Sequence, residues 1–339
     1  MAHLSLEISI PLFIVSAAVI VVSGALIAAI ADRLAKKTKL GQALMGALFL
    51  GFSTSLPGVV TSVTAALGNY PELALSNALG DIAVQTAFLG IADITYLEAN
   101  LEYASASAAS LTQGTLLIVL LAIPLLAMAY PAVNFWGIHP ASVGLVITYI
   151  FGLRLVATAQ NLPMWKAEDV ESIETQIEET DNHNTISLWV RFLLLAVTLA
   201  IAGYGVEQAG VSIADSTNLS ENAVGSLFTA ISTSLPELVT TIAAVQRRAF
   251  TLAVSGVLGG NSFDVLVLAL CDVAYHKGSI YRAFTERQEF VLALTIVMTG
   301  ILLLGLLRRE KHGIGNIGFE SFLLLLLYLG GFLLVFFSG

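Results

Sequence analysis

Three carboxylates stand in stretches that are otherwise apolar enough to cross a membrane: Asp81, Glu237 and Asp264. A carboxylate at the bilayer centre costs about 3 kcal/mol on insertion scales, so three facing lipid would cost on the order of 9 kcal/mol. They must face inward, and a bound cation or a proton is the natural partner. Their neighbours are oxygen donors. Thr233, Glu237 and Thr240 follow at i, i+4 and i+7, which places them on one helix face. Asn77, Asp81 and Gln85 form a polar stripe at i, i+4 and i+8, and Gly256, Gly260 and Asp264 repeat that spacing. A proline ring excludes the hydrogen bond to the carbonyl four residues back, so Pro57 is expected to free the carbonyl of Ser53 and Pro236 that of Ser232. Carboxylates, hydroxyls and free carbonyls together suit a hard cation such as sodium or calcium. Hydroxyls and glycines at this spacing also serve plain helix packing, and that reading stays open for them. Asp93 and Asp272, near span ends, read as interfacial or loop anchors, and none of the five histidines is given a role.

These groups belong to a duplicated unit. Ser53-Thr54-Ser55-Leu56-Pro57 returns as Ser232-Thr233-Ser234-Leu235-Pro236, an offset of 179 that holds without a gap for some 45 residues. Gly46 matches Gly225, Leu79-Gly80 match Leu258-Gly259, and Asp93 matches Asp272. Duplicated halves with polar, proline-interrupted membrane segments are how secondary transporters build a central site.

The elements that position these residues are membrane spans. The chain is 57% hydrophobic and 12% charged, where a soluble domain carries roughly 25% charged residues. No basic patch of the kind that binds nucleic acid is present, and the single cysteine, Cys271, reads as packing. Apolar runs near 10–31, 41–67, 72–97, 110–130, 137–158, 187–206, 221–246, 250–275, 287–307 and 317–337 predict about ten transmembrane helices. The first is read as a span and not as a cleaved signal. With the N-terminus outside, twelve lysines and arginines fall on the inner side and three on the outer, which favours that orientation and a cytoplasmic acidic loop. Five spans per half is an odd number, so the second half enters from the opposite face. The expected fold is therefore an all-α polytopic membrane protein of two inverted five-helix repeats: 1–158, an acidic loop 159–186, and 187–339.

The two Ser-Thr-Ser-Leu-Pro segments, each followed by a glycine-rich span, resemble the alpha repeats of the cation/calcium exchanger superfamily, prokaryotic sodium/calcium exchangers above all. The resemblance implies ion ligands from both repeats: the Ala230 carbonyl, Thr233, Ser234, Glu237 and Asp264 from the second, and the Gly51 carbonyl, Thr54 and Ser55 from the first. The sequence also departs from that pattern. Gly58 stands where the first repeat's glutamate belongs, Ser53 and Ser232 replace the glycine that opens each motif, Asp81 stands where a serine ligand belongs, Gln85 replaces an asparagine, and Gly260 replaces a site serine. Either the charge is relocated to Asp81, or calcium binding is lost, since calcium takes six to eight oxygens and usually several carboxylates.

The resemblance implies cation antiport by alternating access, with calcium and sodium as transported ions, no organic cofactor and no enzymatic activity. No phosphate-binding loop pattern appears. A proton-coupled exchanger, with Glu237 carrying the proton, is the nearest alternative. A non-transporting relative is a second, supported by Gly58. A channel is disfavoured because no span offers a continuous hydrophilic face.

Overall fold

The computed structural model describes residues 5–38, 40–96, 99–130, 135, 137–160, 185–216, 233–311 and 317–337. The elements are α1 (Leu6–Thr38), α2 (Gly41–Leu67), α3 (Pro71–Ile94), a short α4 (Leu101–Ser105), α5 (Ala108–Ala129), α6 (Pro140–Ala159), α7 (Thr185–Ser216), α8 (Leu235–Gln246), α9 (Phe250–Ala274), α10 (Glu286–Arg308) and α11 (Phe319–Phe337). Eight of these described helices are long and apolar enough to cross a membrane, and α11 is a shorter apolar helix. Helix is what apolar runs of this length must form, because lipid offers no partner for an open backbone group. The expected spans fall on these helices, with ends moved by a few residues. The exception is the seventh: only its end, α8, is described, and residues 221–232, Ala230 and Ser232 among them, lie outside the described residues.

Pro57 does not break its helix. α2 continues through it to Leu67, and the irregular turn comes earlier, where Met45–Leu50 widens into a π-helix. Having no N–H, Pro57 still leaves the Ser53 carbonyl without its donor four residues on. Pro236 sits in the first turn of α8, and Ser232, whose carbonyl it was expected to free, lies outside the described residues.

The duplication is visible as duplicated contacts. Asn69 and Arg248, 179 residues apart, both take positive φ, at 62° and 59°. The next residue in each turn donates back to the helix it leaves: Tyr70 N to Ala65 O and Ala249 N to Ala244 O, both at 2.9 Å. Asp93 accepts from Leu101 N at 2.6 Å and Gly318 N at 2.9 Å. Its counterpart Asp272 accepts from Ile280 N at 2.9 Å and His139 N at 2.7 Å, and those donors are the same two positions shifted by 179. Each aspartate therefore staples a loop of its own half and the start of a helix from the other half. Both act as anchors met mainly by backbone N–H groups that could not otherwise be buried, with Ser142 Oγ adding a bond to Asp272 Oδ2 at 2.7 Å.

The core is built on α3 and α9, whose apolar windows are 83% and 78% buried. α2 crosses α9 at backbone contact. A Cβ on Gly51 would lie 2.5 Å from Gly260 N, and one on Gly259 would lie 2.2 Å from Ala47 Cα. Small residues let helices meet this closely in lipid, where tight packing replaces the hydrophobic drive of water. Gly259→Ala pushes a methyl into backbone, so it is expected to cost about 1–3 kcal/mol as overpacking. A lower melting temperature of the purified protein in detergent checks this; an unchanged one refutes the crossing.

Beside the Asp93 staple, Glu102 is buried and accepts from Ser321 Oγ at 2.5 Å, while its other oxygen, Oε2, has no partner. Burial first, and the charge of Asp93 second, push its carboxyl up to about 7 from the usual 4.5. An acid whose folded-state pKa is raised favours the fold while protonated. Its contribution is complete below about 4.5 and is lost as pH rises through about 7. Each unit of such a shift is worth about 1.4 kcal/mol. Glu102→Gln is therefore expected to raise the melting temperature at pH 8 and to flatten its fall between pH 4.5 and 7. An unchanged pH profile would show that Glu102 is not the group responsible.

Candidate cation site

The three acids meet where α2, α3, α8 and α9 pack together, and all three are buried. Asp81, on α3, accepts at Oδ1 from Thr233 Oγ1 at 2.7 Å and Ser234 Oγ at 3.1 Å, and at Oδ2 from Asn77 Nδ2 at 3.3 Å. Glu237, in the first turn of α8, accepts at Oε1 from Ser55 Oγ at 3.4 Å. Asp264, on α9, accepts at Oδ2 from Gln85 Nε2 at 2.9 Å. Gln85 and Asp264 are equivalent positions of the two halves, 179 residues apart, so this bond joins the repeats directly.

The spacing of the stripe explains part of this. Asn77, Asp81 and Gln85 lie on one face of α3, and Asn77 serves Asp81 while also donating to Ser62 Oγ at 3.0 Å. Ser62, the acceptor of that bond, is a residue that sequence reasoning did not place in the site. Its one signal was a hydroxyl one turn beyond Gly58, among several hydroxyls on the same span.

Among the described residues, three buried acceptors have no donor: Glu237 Oε2, Gln85 Oε1 and Asn77 Oδ1. Among the described residues, neither Glu237 nor Asp264 pairs with a lysine, arginine or histidine. An uncompensated buried carboxylate and bare amide oxygens are a poor end state for a protein alone and a good one for a hard cation. The acids do not converge as a cage: among the described residues no three Asp, Glu, His or Cys side chains are close enough to hold one ion by themselves. Hydroxyl, amide and carbonyl oxygens must complete any shell.

Of the other expected ligands, Thr54 is buried beside them, but its hydroxyl donates back to Gly51 O at 3.0 Å and Leu50 O at 3.1 Å. The Gly51 carbonyl is thus not bare as expected, because a threonine three residues on takes one of its lone pairs. Ala230 lies outside the described residues. Gly260 faces the site, since a Cβ there would lie 3.4 Å from Gln85 Oε1 and 3.6 Å from Ser55 Oγ. A separate cleft of about 620 Å³ between α1 and α7, lined by Leu12, Val15, Val19 and Ile201, holds none of the three acids.

This geometry can be set beside known proteins. An uncharacterized membrane protein of Methanocaldococcus jannaschii is 26% identical over 245 residues, covering 69% of this chain and 71% of that protein. The inner membrane protein YrbG of Escherichia coli K12 is 25% identical over 294 residues, covering 84% and 86%. A solved structure of the sodium-calcium exchanger NCX_Mj matches with a TM-score of 0.69 at 20% identity, covering 95% of this chain and 96% of that one, which establishes the shared fold. The family pattern described as sodium/calcium exchanger protein matches residues 8–158 and 187–337, on both sides of the acidic loop. With the family pattern matching on both sides of the loop and the fold shared, the chain belongs to the sodium/calcium exchanger family.

Proposed function

We propose that the chain exchanges cations across the membrane by alternating access, with Glu237 and Asp264 as the central ligands and Ser55, Ser234, Thr54, Thr233 and Gln85 supplying neutral oxygens. Membership in the family makes it an integral membrane antiporter of the sodium/calcium type, not an enzyme. The observation that carries the site is Glu237, a buried carboxylate whose Oε2 has no donor among the described residues, as is also true of Gln85 Oε1. Calcium and sodium are the ions we assign, because carboxylate, hydroxyl and amide oxygens suit hard cations and the structural neighbour NCX_Mj is named a sodium-calcium exchanger. The same carboxylate could carry a proton, so proton coupling is the alternative to test.

We further assign both termini to the outside and the 159–186 loop to the cytoplasm, on the twelve-to-three division of basic residues. The membrane is a prokaryotic plasma membrane, by likeness to an inner membrane protein of E. coli. The two halves, 1–158 and 187–339, are the inverted repeats.

The moving group is the α1–α7 pair, the most extensive helix pair in the structure. It meets the site helices at Gly24 and Gly203, again 179 residues apart. A Cβ on Gly24 would lie 2.8 Å from Val239 Cγ1, and one on Gly203 would lie 2.3 Å from Pro57 Cγ. Bare glycine surfaces let one layer slide over the prolines and the β-branched side chains beside Glu237.

The deciding measurement is uptake of radioactive calcium into proteoliposomes under an outward sodium gradient, repeated under a proton gradient. Sodium-driven uptake is expected, with Glu237→Gln and Asp264→Asn each lowering the rate at least about tenfold, or about 1.4 kcal/mol. Uptake driven by protons alone would favour the alternative, and no cation flux under either gradient would overturn antiport. Gly203→Val is expected to slow exchange by about tenfold or more while the calcium-induced rise in melting temperature remains. An unchanged rate would remove α1–α7 as the moving pair.

A further inference from the structure

The two halves carry their acid at different positions. Position 58 corresponds to 237, and position 81 to 260. The first half has Gly58 and Asp81, whereas the second has Glu237 and Gly260. Each half thus places one carboxylate and one glycine on the same pair of sites, in opposite order. In the first half the pair is in contact: a Cβ on Gly58 would lie 2.6 Å from Asp81 Oδ2. Asp81 therefore fills the space into which a side chain from position 58 would grow.

The donors point the same way. Ser55 and Ser234 are equivalent, and each donates across to the other half's acid. Ser55 Oγ reaches Glu237 Oε1 at 3.4 Å, and Ser234 Oγ reaches Asp81 Oδ1 at 3.1 Å. Strict symmetry would have Ser234 donate to a carboxylate at position 58. It donates to Asp81 instead. Asn77, also buried, sends Nδ2 to Asp81 Oδ2 at 3.3 Å and to Gly58 O at 3.4 Å, which ties the two positions together. Its own Oδ1 has no donor, leaving a neutral acceptor beside the carboxylate.

We propose that the first half's site carboxylate has been transposed from α2 to α3, so that Asp81 is a cation ligand in the place that Glu237 holds by symmetry, and Gly58 is the vacancy that lets it do so. The ligand class is a hard cation, held by the carboxylate together with the hydroxyl and amide oxygens around it. This rests on the antiport reading for its physiological meaning, but not for its test. A carboxylate on the shorter arm of aspartate from α3 reaches the region that a glutamate arm would reach from α2, so the charge is kept while its anchoring helix changes.

The test moves the carboxylate back. Gly58→Glu, Asp81→Gly, the double variant Gly58→Glu/Asp81→Gly, and the near-isosteric Asp81→Asn are purified in detergent, and the calcium-induced rise in melting temperature is titrated. Each single variant is expected to weaken apparent calcium affinity at least about tenfold, or about 1.4 kcal/mol. The double variant is expected to regain most of it, a coupling that independent effects at two sites would not give. Wild-type calcium response in Asp81→Asn, at unchanged stability without calcium, would overturn the proposal. So would a folded double variant that responds no better than Asp81→Gly. If Gly58→Glu or the double variant fails to fold, Asp81→Asn still decides. A normal calcium response in the wild type without any flux in proteoliposomes would sink the antiport reading while leaving this one to stand or fall on the variants.

Discussion

A carboxylate inside a hydrocarbon layer has no water to turn to, so each of its oxygens must find a donor or a cation. How each buried acid meets that demand sorts structure from function in this protein. Asp93 and Asp272 are each met by two backbone N–H groups, which cannot leave without unfolding a helix start, and Asp272 by the Ser142 hydroxyl as well. Their charge is consumed in holding the fold. Glu237 and Asp264 are met by a side-chain hydroxyl and an amide, donors that can rotate away at little cost. Around Glu237 the supply also runs short, leaving acceptors with nothing to accept from. A deficit of donors around movable partners is the signature of a site that a cation completes and then leaves.

The duplication of the sequence explains why the staples come in pairs. Asp93 reaches Gly318 in the second half, and Asp272 reaches His139 in the first. One interaction, copied, fastens the two halves twice. The Gln85–Asp264 bond joins equivalent positions of the two halves at the centre. Between fixed ends and a shared centre, the α1–α7 layer meets the core at Gly24 and Gly203 and also through aromatic side chains, with Phe49 of α2 edge-on to Trp189 of α7 at 4.8 Å.

Much of this was legible before any coordinates. Apolar runs of spanning length have one backbone solution in lipid, so the spans and the all-helical class follow from hydropathy. The i, i+4, i+8 stripe on α3 follows from helical period, and it placed Asn77, Asp81 and Gln85 together correctly. What escaped was geometry without a side-chain signal. The partners of Asp93 and Asp272 are backbone N–H groups, which every residue but proline carries. The π-turn at Met45–Leu50, well before Pro57, has no residue type that announces it. The bond from Thr54 to the Gly51 carbonyl depends on a rotamer that sends the hydroxyl back along the helix and is not written in its name.

The same close packing bears on why the chain couples ions and does not leak them. Beside the acids, α2 and α9 meet backbone to backbone, with Gly51 against Gly260 and Ala47 against Gly259. A contact that admits no Cβ admits no file of water, so the polar groups form a closed cluster and not a continuous face. An ion can therefore pass only if helices move around it. Closing the site to both sides with the pocket unfilled would seal uncompensated carboxylates in a low-dielectric layer with neither water nor a cation as partner, which is costly. Movement with a cation bound avoids most of that cost. The penalty that forces the acids inward thus also forbids the empty crossing, and a carrier that crosses only when loaded exchanges one cation for another.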